Sequence, residues 1–350
     1  MRLHHLSVLL LLLIAIGTAP PAAAERMVTD SAGREVAVPD RILRVFAAGP
    51  PASILLYVLA PDRMIGWPRA PRAEEMPYIA PAYRDLPEVG WLTGRGDTVN
   101  LEVLLQAEPD LILDFGSVRD TYVSLAERVQ AQTGIPYILI DGRFENTADA
   151  LRLLGGVLGV EERAERLAAY VEDSFAGIEA VLEGVPAAER PRVYLARGPN
   201  GQETGLVGSI NTEIIERVGA INVASDPTGA RRGIVQVPIE QIVVWNPDTV
   251  ITWDRTFYEA VWDNFYWQGI DAVRTGRVYL SPTAPFGWID RPPSLNRMIG
   301  LKWLAGLFYP GQAPQDLPTA TREFYKLFYH VDLDDQDLNR LLEWSQGRAP

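Results

Sequence analysis

VNLEVLLQAEPDLIL, residues 99–113, and VPIEQIVVWNPDTVI, residues 237–251, are two versions of one unit. Each carries a Glu (Glu102, Glu240) seven residues before a Pro-Asp pair (Pro109–Asp110, Pro247–Asp248), and each then enters an apolar run. The spacing predicts a short helix over Leu101–Ala107 followed by a strand over Leu111–Phe115, and the same pair again in the second copy. The surroundings repeat too. RVFAA (44–48) precedes the first copy and RVYLA (192–196) the second. A Thr-Gly pair opens the next strand 24 residues after the first Pro (Thr133) and 28 after the second (Thr275). A helix–strand–helix–strand block therefore occurs twice, in order. Strands alternating with helices predict parallel sheets covered on both faces.

Between the copies the period changes. Leu167, Val171, Phe175, Ile178 and Leu182 recur at helical spacing, with acidic residues on the other faces. Residues 160–182 are predicted as one long amphipathic helix, about 33 Å at 1.5 Å per residue. The predicted fold is α/β: two Rossmann-like lobes with mainly parallel sheets, joined by one long linker helix, with a ligand cleft between them. The expected divisions are a signal peptide (1–24), a first lobe (25–150), a linker helix region (151–189) and a second lobe (190–350). Further along the first lobe, DSAGRE (30–35) reads as a hairpin turn, ASILLYVLA (52–60) as a helix and RMIGW (63–67) as a strand.

Composition narrows the function. The chain has 350 residues, 47% hydrophobic, with a formal charge of −13. No run of basic residues exceeds two, so the footprint of a nucleic-acid binder is missing. Arg2, an apolar stretch from Val8 to Ile16 and small residues at Ala22 and Ala24 read as a secretory signal cut after Ala24. Cleavage removes one Arg and leaves −14. There is no Cys, hence no disulfide and no lipid-bearing Cys, and the expected location is the periplasm, free of a lipid anchor. One His, His330, remains after cleavage, expected as a surface or helix-capping residue. A Cys–His pair and a cluster of His ligands are thus excluded by count. No catalytic residue, metal ligand or cofactor is predicted.

The predicted strand ends carry Arg, aromatic residues and Gly instead: GWPRAPR (66–72), GWLTGRG (90–96), DFGS (114–117), ARGPNGQETG (196–205), TWDR (252–255) and PFGWIDRPPS (285–294). Arg offers a planar fork of donors suited to carboxylates and oxyanions. The predicted ligand-binding residues are Pro50, Trp67, Arg69, Arg95, Phe115, Ser117, Arg197, Thr204, Trp253, Arg255, Trp288 and Arg291. Two or three of the seven Arg residues in these loops, counting Arg143 of DGRF (141–144), are expected to face the ligand, and the helix start at Gly49-Pro50-Pro51 offers free backbone N–H groups.

With NLEVLLQAEPDLIL, GSINTEIIERVGAINVA (208–224) and FGWIDRPPSLNRMIGLKWLAG (286–306) in view, the chain resembles the substrate-binding proteins of ABC importers that use a rigid helical linker. The resemblance covers nearly all of residues 25–345. It implies capture and delivery rather than catalysis, a monomer, small lobe movements, and an inner-membrane permease as partner. The family's ligands leave three candidates here: a siderophore-type iron chelate, taken as the leading one, cobalamin, or an oxyanion such as molybdate or tungstate. The resemblance also implies an acidic docking residue on each lobe, for which Glu102, and Glu213 or Glu216, are the candidates. Two-lobed folds of this kind also occur in chelatases and nitrogenase-like proteins, against which the missing Cys and His argue, and a periplasmic sensor is a third class.

Overall fold

The computed structural model describes residues 24–93, 101–226, 228, 233–312 and 315–345. The DSAGRE turn forms as expected, between β1 (Glu25–Thr29) and β2 (Glu35–Pro39), paired antiparallel. Asp30 accepts from the backbone N–H groups of Ala32 and Arg34, ion-pairs with Arg34 at 2.7 Å, and takes the N–H of Leu139 at 3.2 Å. That last bond ties the hairpin to a parallel sheet of β3 (Val45–Ala47), β4 (Leu111–Gly116) and β5 (Tyr137–Asp141) in sequence order. RMIGW departs from expectation. Only single-residue pairings occur there, Met64 with Val45 and Trp67 with Glu88. Pro68 supplies no N–H to extend them.

The second lobe contributes β6 (Arg192–Ala196), β7 (Glu203–Gly205), β8 (Ile221–Asn222), β9 (Ile234–Gln236), β10 (Thr249–Thr252) and β11 (Val278–Leu280). Four of these form a parallel sheet in the order β11-β10-β6-β8, while β7 and β9 pair antiparallel. The fold is a mixed α/β architecture with parallel sheets and many helices.

Both copies of the repeated unit are built alike. The helices Leu101–Gln106 and Ile239–Trp245 are each followed by a left-handed non-glycine residue, Glu108 (φ 44°) and Asn246 (φ 41°). The Pro after it has no N–H and cannot continue the helix. The Asp then reaches the neighbouring strand. Asp110 Oδ2 accepts from the N–H groups of Leu43 and Arg44 at 2.7 and 2.9 Å, and Asp248 Oδ2 from that of Arg192 at 3.0 Å. The Arg at that strand's start completes the latch. Arg44 donates to the carbonyls of Ala107 and Glu108, and Arg192 to that of Trp245. These carbonyls at a helix end have no partner within the helix.

The linker helix spans Glu161–Glu183 and buries Leu167, Val171, Phe175 and Ile178, with Leu182 half-buried. It packs closely on helix Thr147–Leu158: a Cβ on Gly155 would lie 2.3 Å from that of Ala164. The closing helix Leu317–Tyr329 lies against first-lobe helix Pro50–Leu59, with the Tyr57 hydroxyl donating to the Tyr329 carbonyl at 2.6 Å. His330 caps this helix in the left-handed conformation, and its ring lies 3.1 Å from the Tyr57 carbonyl. Burial and the neighbouring Arg163 hold its pKa below the usual His value.

Arg297 joins the lobes. Its guanidinium is wholly buried and donates to Gly142 O and Ile210 O, both at 2.9 Å, and to Glu213 Oε2 at 3.3 Å. The same Glu213 oxygen accepts the N–H of Phe144 at 2.8 Å. Burial pushes Arg297 down to about 10 against the pull of Glu213. A buried charge persists only with such full pairing.

Candidate functional site

A cavity of about 600 Å³ opens at the carboxyl ends of β6 and β10, lined among others by Arg197, Gln202, Glu203, Trp253, Asp254 and Arg291. Such a position is where open parallel sheets take ligands. Three segments build it. The first is the turn after β6. Arg197 exchanges backbone hydrogen bonds with Glu203, at 2.8 and 3.3 Å, around Gly198 and Gly201, both at positive φ. Gly201 is also required sterically, since a Cβ there would lie 2.3 Å from the ring of Phe257. The second segment is the exit of β10. Asp254 accepts the N–H of Phe257 at 3.2 Å and caps helix Arg255–Ala260, which holds Trp253 at the mouth. The third is residues 285–294, which deliver Asp290 and Arg291.

Trp253 stands between two cations. The guanidinium of Arg291 lies 4.5 Å from its ring centroid and that of Arg197 5.7 Å. Its indole N–H is buried with no hydrogen-bond partner among the described residues. Arg197 pairs with Asp290 at 2.9 Å and Glu203 at 3.4 Å. Arg291 forms no ion pair among the described residues. Burial, then the positive fields of Arg72 and Arg69 across the cleft, hold its pKa below the usual Arg value, with Asp254 opposing and Arg197 adding to the effect. A negative ligand would relieve this repulsion.

Of the predicted residues, Arg197, Trp253 and Arg291 come together here. Arg69 and Arg72 reach the same region electrostatically, and both clasp the buried Glu75, at 2.6 and 2.7 Å. Burial pushes Glu75 up, but these two Arg residues outweigh it and hold its pKa below the usual value. Arg95 lies outside the described residues. Pro50 is half-buried at the first turn of its helix. Ser117 is half-buried too and accepts from Arg119.

Several expectations are corrected. Trp67 is a core residue, its indole N–H donating to Tyr83 O at 2.7 Å and its ring packed on Tyr57 and Phe286. Phe115 is buried in the same core. Trp288 has no exposed surface and donates to the Tyr325 hydroxyl. Thr204 is completely buried beneath the cavity. Arg255 stacks over Trp344 at 5.0 Å rather than lining the cavity. In each case burial or a neighbouring ring removes the side chain from the cavity surface. Glu213 is committed to Phe144 and Arg297, and Glu216 is half-buried with its pKa raised by burial. Glu102 is exposed, as is its repeat counterpart Glu240. Sequence reasoning missed Glu203 and Gln236 as lining residues. Glu203 sat in the quoted ARGPNGQETG, but Gln236 arrives from β9 and no local signal marks it.

Several known proteins are similar to this chain. The chain is 25% identical over 345 residues to the molybdate-binding protein MolA of Haemophilus influenzae, covering 89% of this chain and 92% of that protein. A cobalamin-binding protein of Halobacterium salinarum is 31% identical over 169 residues, 45% of this chain and 42% of that one. Among solved structures, an ABC transporter solute binding protein from Sulfurospirillum deleyianum superposes with a TM-score of 0.81 at 28% identity, covering 91% of this chain and 99% of that one. These relatives are transport-associated binding proteins, not enzymes. Among the described residues, no helix is long and apolar enough to cross a membrane. Residues 55–285 match the periplasmic binding protein family, and the chain belongs to it: a solute-binding component of an ABC transporter, which pairs with a permease.

Proposed function

We propose that the protein captures an anionic metal chelate, an iron–siderophore in the first instance, and delivers it to its permease. The observation that carries this reading is Trp253 flanked by Arg197 and Arg291 on a cavity of about 600 Å³. The flat indole supplies apolar contact and the guanidinium groups supply charge-assisted donors. Size favours a chelate over a bare oxyanion. A tetrahedral oxyanion displaces roughly four waters, on the order of 120 Å³ at about 30 Å³ each, a fraction of this space. Molybdate is the second reading, favoured by the similarity to MolA along most of both chains. Cobalamin is the third, resting on the partial similarity to the Halobacterium protein.

Signal cleavage after Ala24 would release a monomer into the periplasm. For docking, the reading places Glu102 on the first lobe. On the second it favours Glu240 over Glu213 and Glu216, because the repeat puts Glu240 on the matching helix and leaves it exposed.

Calorimetric titration with a ferric tris-catecholate, sodium molybdate and cobalamin tests the ligand class. The expected result is binding of the ferric chelate, weakened at least tenfold in Arg291→Ala, the loss of one charge-assisted hydrogen bond at about 1.5–3 kcal/mol. Binding of molybdate alone would transfer the assignment to the second reading.

A further inference from the structure

We propose that capture of an anion in this cavity is coupled to the uptake of one proton by Asp290. The proposal rests on the anion-binding reading above and extends it to the floor of the site. Arg197 is the link. Its side chain is 11% exposed and lines the cavity, while the Asp290 side chain beneath it has no exposed surface. Arg197 Nη1 lies 2.9 Å from Asp290 Oδ2. The other carboxylate oxygen, Oδ1, accepts from the amide of Asn211.

The charged groups facing Asp290 are few. Arg197 comes from the end of β6, Glu203 from β7 and Arg297 from helix Arg297–Phe308, with the polar Asn211 from the turn before helix Glu213–Arg217. Arg297 is already engaged by Glu213 and two carbonyls. Glu203 repels. Arg197 is therefore the cation on which the ionised form of Asp290 chiefly depends. Burial raises the Asp290 carboxyl to about 6, with Arg197 the largest opposing influence.

An anion bound to Arg197 changes that balance. Ligand and Asp290 then share one guanidinium where Asp290 has no water to turn to. Losing an opposite charge at this range moves a carboxyl pKa by about 1–3. The proton comes from bulk solvent to an oxygen of Asp290, and the buried negative charge disappears. Glu203 is the weaker candidate for it, since its side chain keeps 17% exposure and sits farther from Arg197, at 3.4 Å. The sign follows from linkage. The complex holds more protons than the free protein, so lower pH favours binding. Affinity climbs by as much as about tenfold per unit fall in pH above pH 6, then levels off as free Asp290 protonates.

Two measurements test this on the full chain. Titrations with the ferric tris-catecholate and, in parallel, sodium molybdate are run at pH 7 in Tris and in HEPES, whose ionisation enthalpies differ. The expected result is a buffer-dependent enthalpy reporting about 0.4–0.9 proton per anion, the span that a rise of about 1–3 from about 6 gives at pH 7, kept in Glu203→Gln and lost in Asp290→Asn. Binding of either probe with no buffer dependence overturns the proposal and leaves the anion reading standing. The second measurement needs no ligand. Infrared titration follows the carboxylic acid band of Asp290, identified by its loss in Asp290→Asn and separated by Asp114→Asn from Asp114, the other buried carboxyl near 6. In Arg197→Gln the band should persist to a pH at least one unit higher than in the parent. An unchanged midpoint sinks the proposal whichever probes bind. A shifted midpoint with neither probe bound rejects the anion reading while supporting the Arg197–Asp290 coupling.

Discussion

Phe115 and Trp253 occupy the same place in the two copies of the repeat, each six residues after the Pro, yet one is core and the other lines the cavity. Up to that point the copies agree closely. Both have a left-handed residue before the Pro, an Asp on the adjoining strand's N–H, and an Arg on the helix's last carbonyls. Beyond it they diverge because their surroundings do. The first copy exits against helix Pro50–Leu59, in the core cluster that buries Phe115. The second exits beside the Arg197 turn and the 285–294 segment, which leave Trp253 beside open space. The repeat is thus a scaffold for two strand ends, and the cavity lined by Arg197, Trp253 and Arg291 opens at one of them. The first-lobe cations fit the same view: Arg69 and Arg72 share Glu75, while Arg291 of the second lobe has no ion-pair partner among the described residues.

The largest expected effect separates scaffold from site. Arg297→Ala should cost about 3–5 kcal/mol in urea denaturation, because Glu213 and two carbonyls lose a buried partner. Arg69→Ala, half-exposed, should cost under about 1 kcal/mol. Phe115→Ala and Trp253→Ala come next and address the comparison directly. The first should lose about 3–5 kcal/mol of stability, the usual cost of a buried Phe. The second should lose much less stability but at least tenfold in affinity for the ferric chelate. Equal effects of the two on stability and binding would dissolve the distinction drawn here.

Smaller changes test the shared latch. Asp110→Ala and Asp248→Ala should each destabilise by about 0.5–1.5 kcal/mol, the net worth of a hydrogen bond whose exposed N–H turns to water instead. Asp110 should cost more, since it serves two N–H groups and Asp248 one. The smallest effects concern the left-handed residues. Glu108→Gly should raise the thermal midpoint, gaining about 1 kcal/mol from relief of a conformation unfavourable to side chains. Asn246→Gly should gain nothing, because Asn246 exchanges two hydrogen bonds with Asp271, both at 2.9 Å, which Gly would forfeit.

Much of the frame was legible in the chain because it depends on local pattern. The two-fold block, the linker helix over 160–182 and the hairpin at DSAGRE follow from period and turn chemistry, and the structure places them within a residue or two. Three of the predicted binding residues, Arg197, Trp253 and Arg291, gather at one cavity because strand ends collect there. Trp67, Phe115 and Trp288 were misjudged on the same rule, since an aromatic residue at a strand end looks alike whether helices cover it or not. Arg297 gave one unused signal: it is a charge inside the apolar run LNRMIGLKWLAG.

By itself, then, the sequence determined the alternation of elements, the repeat and the class of side chain brought to the strand ends. Each of these is set by residues within a few positions of one another. Only the tertiary structure decided which of those side chains keep a free surface and which become buried partners. Arg197 meets Asp290, and Arg297 meets Gly142 and Glu213, across 84 to 155 residues of chain. Burial and charge pairing at that range depend on how the lobes and closing helices pack, which no local spacing encodes.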